Sequence, residues 1–200
     1  MDTISAQRAM RVAKSYIDET DDINLTDKVV VRNARTTLSL ASKQLTQAYA
    51  ADPQATVDID GVPADIPYLK ARTLLREART WEAFNLTRAI ELAVQATQAD
   101  PTNAYAFHVV GIYQLDAHNP KQAIYALEQA AQLEPENPEI LKDLDRAKNM
   151  SGLSVAAYKA ADAGALTYNI LITMWNIFAV FWNVITFPMR IIARMMGIMR

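Results

Sequence analysis

Residues 104 to 137 read AYAFHVVGIYQLDAHNPKQAIYALEQAAQLEPEN, and the fold follows from them. Two apolar-periodic runs flank His118-Asn119-Pro120, a polar break whose proline is placed to open a second helix. Phe107, Val110 and Gly111 share one face of the first run, and Ala123, Leu127 and Ala130 share one face of the second. Small residues at Gly111, Ala123 and Ala130 let two antiparallel helices approach closely, while Phe107 and Leu127 fill the space that is left. The stretch predicts a helical hairpin.

This pattern resembles the tetratricopeptide repeat (TPR), whose signature runs Trp-x2-Leu-Gly-x2-Tyr, then Ala-x3-Phe, a small residue and a closing Pro. Phe107 stands in the Trp slot and Val110 in the Leu slot, Leu127 replaces Phe, and Gly111, Ala123, Ala130 and Pro135 match. Gln114 in the Tyr slot is a departure. The same spacing recurs upstream at Ala89, Ala96 and Pro101, and again at Ala41, Ala48 and Pro53, with Leu45 in the Phe slot. The interval from Ala41 to Ala89 is longer than that from Ala89 to Ala123, and an insertion over Gln54 to Pro67 accounts for the excess. The closing phrases A-A-D-P, Q-A-D-P and L-E-P are near copies. One such unit cannot bury its apolar face alone, so stacked copies are expected. The resemblance covers residues 26 to 149 and implies an all-α, right-handed solenoid of helical hairpins, with residues 1 to 149 as the repeat domain.

Composition agrees with helices: 51% of residues are apolar, and Gly is rare at five. Without Cys there is neither a disulfide framework nor a thiolate metal site. The net charge of −2 divides into −5 up to Asp162 and +3 beyond, where only Arg190, Arg194 and Arg200 are charged. A mildly acidic repeat domain offers phosphates no attraction, which argues against nucleic acid as a partner. Asp2, Arg8 and Arg11 with no apolar run argue against a secretory signal.

Thr3 to Glu19 reads as an amphipathic helix with Ile4, Ala9, Val12, Ala13, Tyr16 and Ile17 inward, followed by the acidic link Glu19 to Asp22 as a solvated loop. Thr26 and Asp27 cap a long helix reaching Ala51. The insertion holds Gly61, Pro63 and Pro67 and cannot be helical throughout; Val57, Ile59 and Ile66 are expected to pack on the solenoid edge. Asp58-Ile59-Asp60-Gly61 echoes a calcium loop whose remaining ligands are missing. Tyr68 to Thr80 and Trp81 to Ala99 form the second hairpin, although Thr73, Arg76 and Glu77 occupy its Trp, Leu and Gly slots. After Pro138 a capping helix is expected to turn Ile140, Leu141 and Leu144 inward and Lys142, Asp143 and Asp145 outward, and to break at Ser151-Gly152 before a linker helix over residues 150 to 164.

From Ala163 to Met189 the chain carries no charge and no His. That stretch exceeds the ~20 residues a membrane span needs, so residues 165 to 187 read as a hydrophobic membrane helix. Asn169, Thr173, Asn176 and Asn183 fall in one arc of it, a polar seam that needs a hydrogen-bonding neighbour. That neighbour is the same helix in another copy, a partner's helix, or the headgroup layer. Pro188 ends or kinks this helix, and residues 188 to 200 form a short basic amphipathic helix in which Arg190, Arg194 and Arg200 meet lipid headgroups, anionic ones above all. The expected location is a membrane with the repeat domain on the cytoplasmic side. Positive-inside reasoning puts the Arg tail there too, so helix and tail lie in one leaflet, bend at Pro188, or cross against the rule. The layout resembles tail-anchored repeat proteins of the mitochondrial outer membrane; a bacterial inner membrane fits equally.

No catalytic constellation stands out: His108 and His118 lie on opposite sides of one hairpin without a nucleophile motif, and no Gly-rich phosphate loop exists. No cofactor or metal site is expected, and the chain reads as a non-enzyme. The resemblance implies a groove that binds peptides or helices of other proteins, at Leu74, Ala78, Trp81, Tyr105, His108, Ile112 and Leu115. The family's Lys/Asn/Arg carboxylate clamp is not matched there, so an apolar helix or extended segment is the implied ligand. Two functions follow: a membrane-tethered scaffold or adaptor, or a structural subunit that forms homo-oligomers or joins a membrane complex through the Asn-lined helix. A mitochondrial outer-membrane receptor is a third.

Overall fold

The computed structural model describes residues 2–59 and 61–152. Among them six helices follow in order: α1 (Thr3–Asp18), α2 (Lys28–Ala51), α3 (Ile66–Trp81), α4 (Leu86–Ala99), α5 (Ala104–Asp116) and α6 (Pro120–Leu133). A further helix, α7, is described over 138–152. Starts are fixed by side chains that accept the first free N–H groups: Asp27 from Val29 and Val30, Asp65 from Tyr68, Asn85 from Arg88, and Asn103 from Ala106. α1 packs on α2, α3 on α4 and α5 on α6, and short connections make each pair an antiparallel hairpin. α3 also touches α1 and α5, so the first helices of successive hairpins line one side of the stack.

The repeated closing phrase has a physical cause. At each hairpin end the cap N–H donates to a buried alanine carbonyl four residues back: Asp52 to Ala48, Asp100 to Ala96, and Glu134 to Ala130. Asp52 and Asp100 then accept the N–H of Gln54 and Thr102, turning the chain toward the next element at a nearly buried carboxylate.

The turn inside the best-matched hairpin is a Schellman motif. Asn119 N–H donates to the Gln114 carbonyl and His118 N–H to that of Leu115, while His118 takes the left-handed conformation at φ 57°. An L side chain there costs about 1 kcal/mol that glycine avoids. We expect His118→Gly to raise the thermal midpoint by a few degrees, at about 1 kcal/mol; a lower midpoint in a calorimetric scan would sink this account.

The apolar interior forms separate clusters along the chain. One joins α1, α2, the insertion and the start of α3. A second joins α3, α4 and α5 around Leu75, Leu92 and Val109. A third holds Leu115, Leu127 and Leu144, and a fourth Ala130 and Ile140. A Cβ added to Gly111 would lie 2.6 Å from Leu127 Cδ2 and closer still to its Cγ, so the glycine is what lets α5 and α6 meet.

Arg35 joins the first and second hairpins. Its guanidinium lies 3.4 Å from the centroid of the Trp81 ring and 5.8 Å from that of Phe84. Its Nε donates to Thr80 Oγ1 at 3.0 Å and its Nη2 to the Thr80 carbonyl at 2.6 Å. The cation thus closes the negative end of α3. Burial lowers its pKa from the ordinary arginine value, and Glu77 opposes that shift. The indole Nε1–H of Trp81 is buried with no acceptor among the described residues.

Several expectations change. The insertion is not helix or loop but a two-stranded antiparallel sheet, β1 (Thr56–Ile59) with β2 (Val62–Asp65), so the fold departs from all-α at this point. Gly61, at φ 86°, turns the hairpin and donates its N–H to Asp58, which spends that carboxylate on the turn. Val57, Ile59 and Ala64 are buried against α1 and α3, and Gln7 of α1 donates to the Thr56 carbonyl on the edge of β1. Pro63 in β2 has no N–H to offer at either edge.

On α1, Ile4 is 74% exposed, and Ala6 and Met10 are buried beside Ala13 and Ile17. The acidic link is not simply solvated: Asp21 meets Arg76 at 2.6 Å and Arg72 at 3.4 Å, and Asp18 meets Arg72 at 3.2 Å and Lys14 at 2.6 Å. On α7, Leu141 is 44% exposed, and Asp143 points inward to His108. Ser151 and Gly152 are still helical. Among the described residues no helix is long and apolar enough to cross a membrane. The expected membrane helix at 165 to 187 with its seam Asn169, Thr173, Asn176 and Asn183, and the tail Arg190, Arg194 and Arg200, lie outside the described residues.

Candidate functional site: the groove between α3 and α5

A cleft of about 420 Å³ opens between α3 and α5. Tyr68, Arg72, Leu75, Arg76 and Arg79 line it from α3, and Tyr105, Val109, Ile112 and Tyr113 from α5, with Asn103 and Glu82 at the ends. Leu75, Val109 and Ile112 make an apolar floor; Tyr68 (38% exposed) and Tyr105 (63% exposed) stand open to solvent. Helical spacing accounts for the set, since Tyr68, Arg72, Leu75 and Arg79 recur at three and four residues, as do Tyr105, Val109 and Ile112.

The charges are not equivalent. Arg72 and Arg76 are paired with Asp18 and Asp21. Arg79 has no ion-pair partner among the described residues. Tyr113 donates to Glu82 Oε2 at 3.4 Å, and burial, then the Glu82 charge, hold its pKa well above the ordinary tyrosine value, so it remains a donor.

A second cleft of about 530 Å³ shares Tyr68 and Arg72 with the first and runs on beneath the insertion. Val62, Pro63 and Asp65 of β2 wall it on one side, and Asp100 and Thr102 of the α4–α5 turn on the other. Each carboxylate keeps one oxygen in use. Asp65 Oδ1 accepts from Tyr68 N–H, and Asp100 Oδ1 accepts from Thr102 N–H and Oγ1.

Of the residues expected in the groove, Tyr105 and Ile112 line it. Ala78 and Leu115 are buried in the apolar clusters, and Leu74 and Trp81 pack against them, Trp81 beneath Arg35. His108 is buried, with Nε2 2.8 Å from Asp143 Oδ2, so it joins α5 to α7. Sequence reasoning missed the α3 wall because α3 has 16 residues where α5 has 13. Tyr68 and Leu75 correspond to Tyr105 and Ile112, a longer step along the chain than the one from Ala89 to Ala123 that relates the second helices. Tyr68 opening α3 just as Tyr105 opens α5 was the available signal.

Neither histidine lies in a nucleophile–base arrangement, and among the described residues no three potential ligands gather to hold a metal ion. The arrangement offers recognition: an apolar floor, open aromatics, and charges at fixed places. No protein-family model matches the chain, and no curated protein matches it. Among solved structures it is similar to the first TPR domain of Spaghetti (RPAP3) bound to the HSP90 peptide SRMEEVD, at 15% identity and a TM-score of 0.44, covering 76% of this chain and 97% of that one.

Proposed function

We propose that this chain is a non-enzymatic adaptor that takes a peptide segment or helix of another protein into the α3–α5 groove while its C-terminal segment holds it at a membrane. One observation carries the reading. Aromatic side chains stand open over an apolar floor at Leu75, Val109 and Ile112, in a cleft of about 420 Å³ that no described segment of the chain fills. Such a surface gains by covering apolar area, at roughly 25 cal/mol per Å² before the costs of association. The membrane tether rests on the uncharged run 163 to 189, and we put the repeat domain on the cytoplasmic side of a bacterial inner or mitochondrial outer membrane.

A photo-crosslinking residue placed at Ile112 should yield discrete adducts with one or a few proteins in membranes. The same residue at Tyr125, which is 68% exposed on α6, should not. Equal adducts at both positions, or none at Ile112, would refute the groove reading. The heptad spacing of Asn169, Asn176 and Asn183 favours a second reading, a structural subunit that assembles through this seam. Replacing all three with Leu should then reduce the mass of the detergent-extracted particle.

A further inference from the structure

Resting on the groove reading, we infer that the two clefts form one channel for an extended protein segment of split charge. The segment's lysine or arginine lodges beside Asp65 and Asp100, and its carboxylate reaches Arg79. The clefts adjoin, because Tyr68 and Arg72 line both. The channel's two ends offer different groups: carboxylates at one, and at the other the Arg79 guanidinium in the same cleft as the Glu82 carboxylate. Beneath the insertion, Asp65 and Asp100 each keep an Oδ2 that accepts no hydrogen bond among the described residues. The arginine that shares that cleft, Arg72, is committed to Asp18 and Asp21 and does not cancel them. At the other end Arg79 lacks an ion-pair partner among the described residues, and Tyr113 already engages Glu82.

Distance sets the ligand's spacing. Asp65, the N-cap of α3, and Arg79 are separated by 14 positions, about 21 Å at ~1.5 Å per residue. An extended chain covers that in about six residues at ~3.4 Å each. Between the charges, apolar side chains meet Leu75, Val109 and Ile112. The β-hairpin insertion is thus a wall that supplies the cation end of the channel.

The test uses the full chain in mild detergent and a library of ten-residue peptides, both ends capped, built from Lys, Glu, Leu, Tyr and Ser. Retained peptides should pair Lys with Glu at about six residues' separation, in one order only. Against the best of them, Asp65→Asn with Asp100→Asn should weaken binding about tenfold and erase the Lys preference. Asn keeps the turn and cap hydrogen bonds, so the fold is retained. Arg79→Gln should erase the Glu preference and leave the Lys preference intact. Selection without the Lys–Glu spacing, selection unchanged by these variants, or no selection at all would each overturn the split-charge channel. If Ile112 still forms its adducts in those cases, the groove reading survives; if it forms none, both fall.

Discussion

Replacing Gly111 with Ala lowers stability by about 2 kcal/mol, even though alanine is the better helix former. Two effects oppose one another. Propensity favours Ala by about 1 kcal/mol, and overpacking a closed interior costs typically 1–3 kcal/mol or more. The geometry decides between them. The new methyl would lie 2.6 Å from Leu127 Cδ2, and Leu127 is fully buried, so neither side chain can turn away into solvent. Urea unfolding followed by circular dichroism measures the loss. Leu127→Ala alone opens a cavity and costs ~2–5 kcal/mol, yet in that background Gly111→Ala should cost little or be favourable. A Gly111→Ala chain as stable as the parent, or additive behaviour of the pair, would show that the hairpin is not held by this contact. Because the interior is divided into clusters, the damage should centre on α5, α6 and α7 and leave α1 and α2 protected in hydrogen exchange.

Arg35→Ala is expected to cost about 3 kcal/mol, from the loss of a ring contact worth ~1 kcal/mol and hydrogen bonds from a charged donor worth ~1.5–3 kcal/mol. The informative comparison is Arg35→Lys. An ammonium keeps the charge but cannot lie flat on Trp81 while donating in two directions to Thr80. Lysine should therefore recover less than half of the loss. Full recovery in a denaturant titration would mean that charge alone holds α2 to the end of α3. Tryptophan fluorescence gives an independent readout, because removing the guanidinium exposes one face of the Trp81 indole.

Much of the fold was legible in the sequence, and the reason is local. The Ala-x6-Ala spacing in each second helix reports a close approach that only small residues allow, so Ala41, Ala89 and Ala123 mark three helices in register. The cap at Asp27 and the glycine at 111 were legible because each has one physical reason to be where it is. The groove was less so. Tyr105 and Ile112 of α5 do line the cleft, whereas Leu74, Ala78 and Trp81 of α3 do not, because a longer first helix changes which side chains face the cleft without disturbing the alanine spacing. His108 deceived for another reason. A face that is open in an isolated hairpin is covered by the next helix, and Asp143 lies beyond any local pattern. The insertion carried turn signals at Gly61, Pro63 and Pro67, yet its strand pairing could be known only once Gly61 had reversed the chain.

Pro63 has a consequence for the behaviour of many copies together. A two-stranded sheet would ordinarily present a free rim to which a strand from a second molecule could add, the first step toward ordered aggregates. One rim here is engaged by Gln7, and on the other strand the proline withholds a donor, so a stranger's backbone finds an interrupted ladder. Crowding the molecules onto a surface therefore need not seed fibres at this site.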